Sequence, residues 1–208
     1  TFASTGTLSD FGDLSTTASY SSGSSSSTRG IINLGYSGSS ISNIIEYVTI
    51  ASAGNSTDFG DLTLARGSES GASASPTRGT LSGGYTSSKQ NVIDYITIAS
   101  AGNATDFGDL LAADMTVGAC ASSTRGLIGG GDGSGATTNV IQYITIASTG
   151  NAQDFGDLSQ SRKNFASFSN NTTGFWAGGD PNGSIVDIID KVAIASLGNA
   201  TDFGDLTI

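Results

Sequence analysis

The residues best placed to do chemistry are aspartates three positions apart in the pentapeptide Asp-Phe-Gly-Asp-Leu. It occurs five times, with its first aspartate at Asp10, Asp58, Asp106, Asp154 and Asp202, at a constant interval of 48 residues. Two carboxylates this close, assisted by backbone carbonyls, form a candidate oxygen site for a hard cation such as calcium, and Asp58, Asp61, Asp106 and Asp109 are the candidates. The competing reading is architectural: one aspartate caps the turn before a strand, and the other pairs with a recurrent arginine or a backbone N–H. Fivefold copying favours the architectural reading, because a residue present in every unit serves the framework whereas an active site needs asymmetry. On that reading the chain carries no cofactor.

The rest of the composition removes most catalytic chemistry. There is no histidine, and Cys120 is the sole cysteine. Ser-His-Asp and Cys-His machinery, disulfide frameworks and cysteine metal cages are therefore excluded. The Asp-Phe-Gly element is not the magnesium motif of protein kinases, since it recurs without a glycine-rich loop and partner lysine. The chain is expected not to be an enzyme. Its net charge of −10, with eight basic residues and no basic run, argues against nucleic acid or an anionic membrane as partner. Ten of the 18 acidic residues belong to the five pentapeptides, so most of the acidity comes from the repeat. No apolar run reaches the length of a membrane span, and no secretory signal is visible.

The elements that must position these residues repeat with the pentapeptide. Residues 1–16 match the end of a unit, and four units follow at about 17–64, 65–112, 113–160 and 161–208. Each reads as four short strands: a small polar one (Gly71-Ala72-Ser73-Ala74), one running into glycines (Thr80 to Gly84), a strongly apolar one (Asn91 to Ile98), and one carrying the pentapeptide. A Gly-Asn turn precedes the fourth strand at Gly54-Asn55, Gly102-Asn103, Gly150-Asn151 and Gly198-Asn199, where asparagine is expected to bond its own backbone. The same geometry accounts for the sequons at Asn55, Asn103 and Asn199 without glycosylation. Helix formers are sparse and β-branched residues fill the apolar runs, so the chain is all-β. Four strands in 48 residues predict a β-propeller of four-stranded blades in a single domain, with a β-solenoid as the alternative.

The unit resembles a kelch-type propeller blade. The resemblance rests on the double glycines Gly83-Gly84, Gly130-Gly131 and Gly178-Gly179, on Tyr47, Tyr95 and Tyr143 in the third strand, and on Phe59, Phe107, Phe155 and Phe203 in the fourth. Arg66 and Arg162 match the family's arginine before the next blade. Departures are Leu34-Gly35 at the glycine pair of the first unit, Lys191 for tyrosine in the fourth, and Phe for the usual Trp. The wording of the repeat, Tyr-Ile-Thr-Ile-Ala-Ser-Thr-Gly-Asn followed by Asp-Phe-Gly-Asp-Leu, is also similar to repeats in structural proteins of marine bacteriophages. These resemblances imply a virion or extracellular setting and a structural, adhesion or protein-scaffold role.

Function is expected where the units differ. The loops between second and third strands vary, over Tyr36 to Ser42, Tyr85 to Gln90, Asp132 to Thr138 and Asp180 to Ser184. Tyr36, Tyr85, Lys89, Asp132, Asp180 and Asn182 are the candidate binding residues, for a host-surface glycan or protein or for other virion proteins. Trp176, the single tryptophan, is read as core packing ahead of a binding role. Residues 1–16 duplicate the end of the fourth unit, which leaves three options: an overlapping tail, a fifth blade completed by another chain, or a piece of a longer array. Oligomerisation is compatible with the second.

Overall fold

The computed structural model describes residues 8–67 and 71–207. They form 19 β-strands and no helix. The first unit holds β1 (Ala18–Ser19), β2 (Ser22–Ser25), β3 (Arg29–Asn33), β4 (Tyr36–Ser37), β5 (Ser40–Ile41), β6 (Ile44–Thr49) and β7 (Thr57–Asp61). In the second lie β8 (Gly71–Ala74), β9 (Arg78–Ser82), β10 (Gln90–Thr97) and β11 (Thr105–Asp114). The third has β12 (Gly118–Ala121), β13 (Arg125–Asp132), β14 (Thr137–Thr145) and β15 (Gln153–Asp157), and the fourth β16 (Ala166–Ser169), β17 (Thr173–Ala177), β18 (Ile188–Ala193) and β19 (Thr201–Asp205). Four antiparallel four-stranded sheets result, in the orders β2-β3-β6-β7, β8-β9-β10-β11, β12-β13-β14-β15 and β16-β17-β18-β19. A small sheet, β1-β4-β5, folds the variable loop of the first unit back on the segment that precedes it.

A lone four-stranded sheet with strands this short cannot bury its own apolar faces, so the sheets pack on one another in chain order. Each core is shared by two successive units. Ile45, Phe59 and Leu62 meet Leu81, Ile96 and Ile98. In the same way Ile93, Phe107 and Leu110 meet Ile128, Ile144 and Ile146. The third core joins Ile141, Phe155 and Leu158 to Trp176, Val192 and Ile194. Trp176 is fully buried and its indole N–H donates to the Gly118 carbonyl at 3.3 Å, which settles it as core. The first strands of all four sheets line a common cleft of about 180 Å³, with Gly23, Ala72, Ala119 and Ser167 among its walls.

The pentapeptide fastens each unit to the next. Gly102 N–H donates to Phe59 O at 2.7 Å and Ala104 N–H to Asp61 O at 2.7 Å, while Asp61 N–H donates to Asn103 Oδ1 at 3.1 Å. The same three bonds join Phe107 and Asp109 to Gly150, Asn151 and Ala152, and Phe155 and Asp157 to Gly198, Asn199 and Ala200. They also hold residues 11–13 against Gly54, Asn55 and Ser56. The recurrent asparagine therefore bonds the preceding unit's backbone, where its own had been expected. Glycine is required inside the pentapeptide because Gly60, Gly108 and Gly156 sit at φ of 142°, 143° and 149°. A Cβ on Gly108 would also stand 2.6 Å from the Gly150 carbonyl.

The repeated aspartates and arginines divide differently from expectation. Oδ1 of Asp10, Asp106 and Asp202 accepts the N–H of the glycine two residues on, inside the pentapeptide, where a cap on the turn before the strand had been expected. The arginines do not pair with these aspartates. Instead Arg29, Arg78 and Arg125 lie 4.3–4.6 Å over Tyr47, Tyr95 and Tyr143 of their own unit. Each then donates at 2.8 Å to the carbonyl of Ile98, Ile146 or Ile194 in the next. A planar guanidinium suits both contacts at once, a ring face and a carbonyl.

Two substitutions separate these contributions. Asn151→Ala removes one inter-unit bond and lowers unfolding free energy by about 1 kcal/mol. Gly108→Ala adds backbone strain and a clash with backbone, and costs more than twice as much; urea denaturation midpoints measure both.

Candidate functional site

Tyr36, Tyr85, Asp132 and Asp180 occupy one station, directly after the glycines that end the second strand. Each is tied by backbone pairing to the segment that leads into its own unit: Tyr36 to Ser19, Tyr85 to Gly67, Asp132 to Met115 and Asp180 to Lys163. The station is thus built by the framework, while its side chain is free to vary. Positive φ at the glycine pair, 58° and 123° at Gly130 and Gly131, accompanies a register shift in the pairing of β13 with β14 at this point.

At one of these stations, Asp132, the side chain converges with charges from both neighbouring units. Asp132 receives Lys89 Nζ on Oδ1 at 2.6 Å and Lys163 Nζ on Oδ2 at 2.8 Å. Lys89 comes from the loop of the second unit and Lys163 from the segment leading into the fourth, so the cluster spans three units. The Lys89 ammonium also donates to the Gly133 carbonyl. The hydrogen bonds from Lys163 and then Lys89 hold the Asp132 carboxyl below the usual range, and the bond to Asp132 raises Lys163. Asp180 is held low by the N–H groups of Asn182 and Gly183, with Lys163 contributing more weakly.

Lys89, Asp132 and Asp180 therefore fall in or beside one charged cluster, and Asn182 contributes a backbone donor to it at φ 134°. Tyr36 stands apart, packed edge-on to Tyr20 at 5.7 Å and against Gly67. Tyr85 is backbone-paired with Lys89 and Gly67.

Two members of the cluster escaped sequence reasoning, Lys163 and Asp114. Asp114 is only 5% exposed, and its Oδ1 has no hydrogen-bond partner among the described residues. It lies under the loop, where a Cβ on Gly131 would meet Oδ1 at 2.5 Å. Burial pushes its carboxyl up to about 7, opposed by the Met115 backbone bond and by Lys89. Stacking the units would have found it, because Asp114 stands one 48-residue period from both Arg66 and Arg162, a charge reversal at a buried station.

The cluster offers two ammonium groups and fixed carboxylates, all half-buried, a pattern suited to charge-assisted hydrogen bonding with a polar ligand. Cys120 is buried in the core between the third and fourth units, and burial pushes its thiol up to about 12, which removes it as a nucleophile. Among the described residues no three acidic, histidine or cysteine side chains converge as a metal group. Asp58, Asp61, Asp106 and Asp109 lie instead along the junctions between units. No protein-family model matches the chain, and no curated protein matches it.

Asp114 makes stability depend on pH. Its folded value, about 7, lies above the 3.8 of an ordinary aspartate, so the folded state holds the proton more tightly. Its contribution to stability is full below pH 4, declines as pH rises from 4 to 7, and is flat above. Asp114→Asn removes that slope: relative to wild type, its Tm rises by about 3–6 °C at pH 8 and changes little at pH 4, measured by thermal melts across the range.

Proposed function

We propose that the chain is a non-enzymatic β-propeller module for adhesion or assembly, belonging to a phage virion or tail fibre, which contacts a host-surface glycan or protein through its variable loops. The propeller reading is supported by four four-stranded sheets packed in chain order, whose first strands share one cleft. The virion setting rests on the wording of the repeat. One observation carries the binding role: the frame is copied almost without change, while the station it presents reads Tyr, Tyr, Asp, Asp and gathers Lys89, Asp132 and Lys163 at one place. Selection for architecture alone supplies no reason for that divergence. Carbohydrate hydroxyls and acidic sugar carboxylates both match a rim of ammonium and carboxylate groups. The reading needs neither a cofactor nor nucleic acid.

Glycan-array binding of the purified protein, with host envelope fractions as a second arm, tests this. A defined glycan or envelope component is expected to bind, and the Lys89→Ala/Lys163→Ala variant is expected to bind at least about tenfold more weakly with an unchanged circular dichroism spectrum. Binding to a soluble protein but to no glycan or envelope component would favour a kelch-type scaffold. No binding, together with absence of the protein from purified virions, would sink the proposal.

A further inference from the structure

The junction between units is made four times in the described residues, and each time it has two halves. A fourth strand offers the carbonyls of Phe and the second Asp. The following Gly-Asn turn answers them. There are five pentapeptides but four Gly-Asn turns, and the fifth pentapeptide, Asp202 to Leu206, meets no such turn among the described residues. Gly204 has the same backbone as its equivalents, at φ 141°, yet a Cβ there would meet nothing within 4 Å. Phe203 is 57% exposed, whereas Phe59, Phe107 and Phe155 are 2–3% exposed. Phe168 and Phe175 stack at 5.1 Å beside Phe203, forming an apolar face with Leu206 at its edge.

The other end of the array is open in a complementary way. Ile50 is 46% exposed, while its equivalents Ile98, Ile146 and Ile194 are each 1% exposed in the core shared with the preceding unit. Residues 10–14 sit on Gly54 and Asn55 as β7, β11 and β15 sit on the turns that follow them, and Ser15 N–H reaches Glu46 as Thr63 N–H reaches Asp94. Yet the edge of residues 10–14 that in other units pairs with a third strand pairs with no described strand. They hold the position of an outermost strand whose sheet is missing.

A single object satisfies both ends. We propose that the opening between the fourth and first units takes up a three-stranded segment of this same repeat, comprising the first three strands of a unit and its Gly-Asn turn. Its turn donates to Phe203 O and Asp205 O, its asparagine accepts from Asp205 N–H, and its third strand pairs with residues 10–14. The completed sheet lays its apolar face on Val48 and Ile50, and the array closes as five units. Unpaired sheet edges and apolar faces of this kind are the usual sites of strand addition.

The test adds a peptide with the sequence of residues 115–152, which carries the three strands and the Gly150-Asn151 turn, to the 208-residue chain. Binding is expected at one peptide per chain, with a higher Tm and with slowed amide exchange at residues 10–14. Phe203→Ser lies on an exposed face and leaves the chain folded, as its own melt verifies; it is expected to weaken binding at least about tenfold. Asn151→Ala in the peptide weakens it further. Three results overturn the proposal. One is no binding by a folded chain, whether or not it self-associates. Another is binding that Phe203→Ser leaves unchanged. The third is binding that leaves residues 10–14 unprotected, which would mean head-to-tail extension of the array instead of closure. None of these outcomes bears on the loop cluster, so the binding role stands or falls separately.

Discussion

Everything in this molecule depends on the seam where the carbonyls of one pentapeptide meet the Gly-Asn turn of the next unit. Two backbone N–H groups and one asparagine oxygen fix the offset and spacing of neighbouring sheets, at distances that vary by about 0.2 Å between seams. The apolar cores then follow, since a phenylalanine held at that offset lies against the isoleucines of the next third strand. Directional bonds select the geometry, while burial of the shared core provides most of the stabilisation. Such an array is held by nearest-neighbour terms, and its end faces are chemically unlike its interior.

Beneath the seams runs a second series that alternates. In the second and fourth units a fully buried arginine meets a third-strand aspartate at 2.8 Å, Arg66 with Asp94 and Arg162 with Asp190. At the equivalent third-strand positions of the first and third units stand Glu46 and Gln142. Glu46 is buried, and its carboxylate accepts from Ser15 and Ser56. Gln142 accepts Leu111 N–H at 2.8 Å and is neutral, which fits a unit whose arginine station holds Asp114. A buried aspartate stripped of its arginine is costly, so the amide and the reversed charge go together. Asp114 is then directed toward the loop beside Lys89 and Asp132. A change in the frame thus supplies part of the asymmetry of the rim.

Much of this was legible beforehand. Strand content, the four-strand unit, the absence of helix and the burial of Trp176 followed from β-branched runs, turn residues and a constant period. The first aspartates were read as caps on the turn before the strand, but Asp106 bonds a glycine two residues on, inside the strand. The roles of asparagine and arginine were misjudged for a different reason. Asp61 and Asn103 are 42 residues apart, and Arg78 and Ile146 are 68 apart, so each partner lies in a different copy of the unit. A reading confined to one unit assigns such side chains to local partners.

The same division holds for the rim. Variable loops were legible as the place where the units differ, and they supply Lys89 and Asp132, which meet as an ion pair. That Lys163 completes the cluster, and that Tyr36 does not join it, depended on how three units are set side by side. By itself the sequence determined the unit and its period, because backbone propensity, turn chemistry and apolar alternation act over a few residues. Only the tertiary structure decided what each repeated side chain bonds and which charges meet, since those partners come together through packing of sheets whose residues lie a whole unit apart.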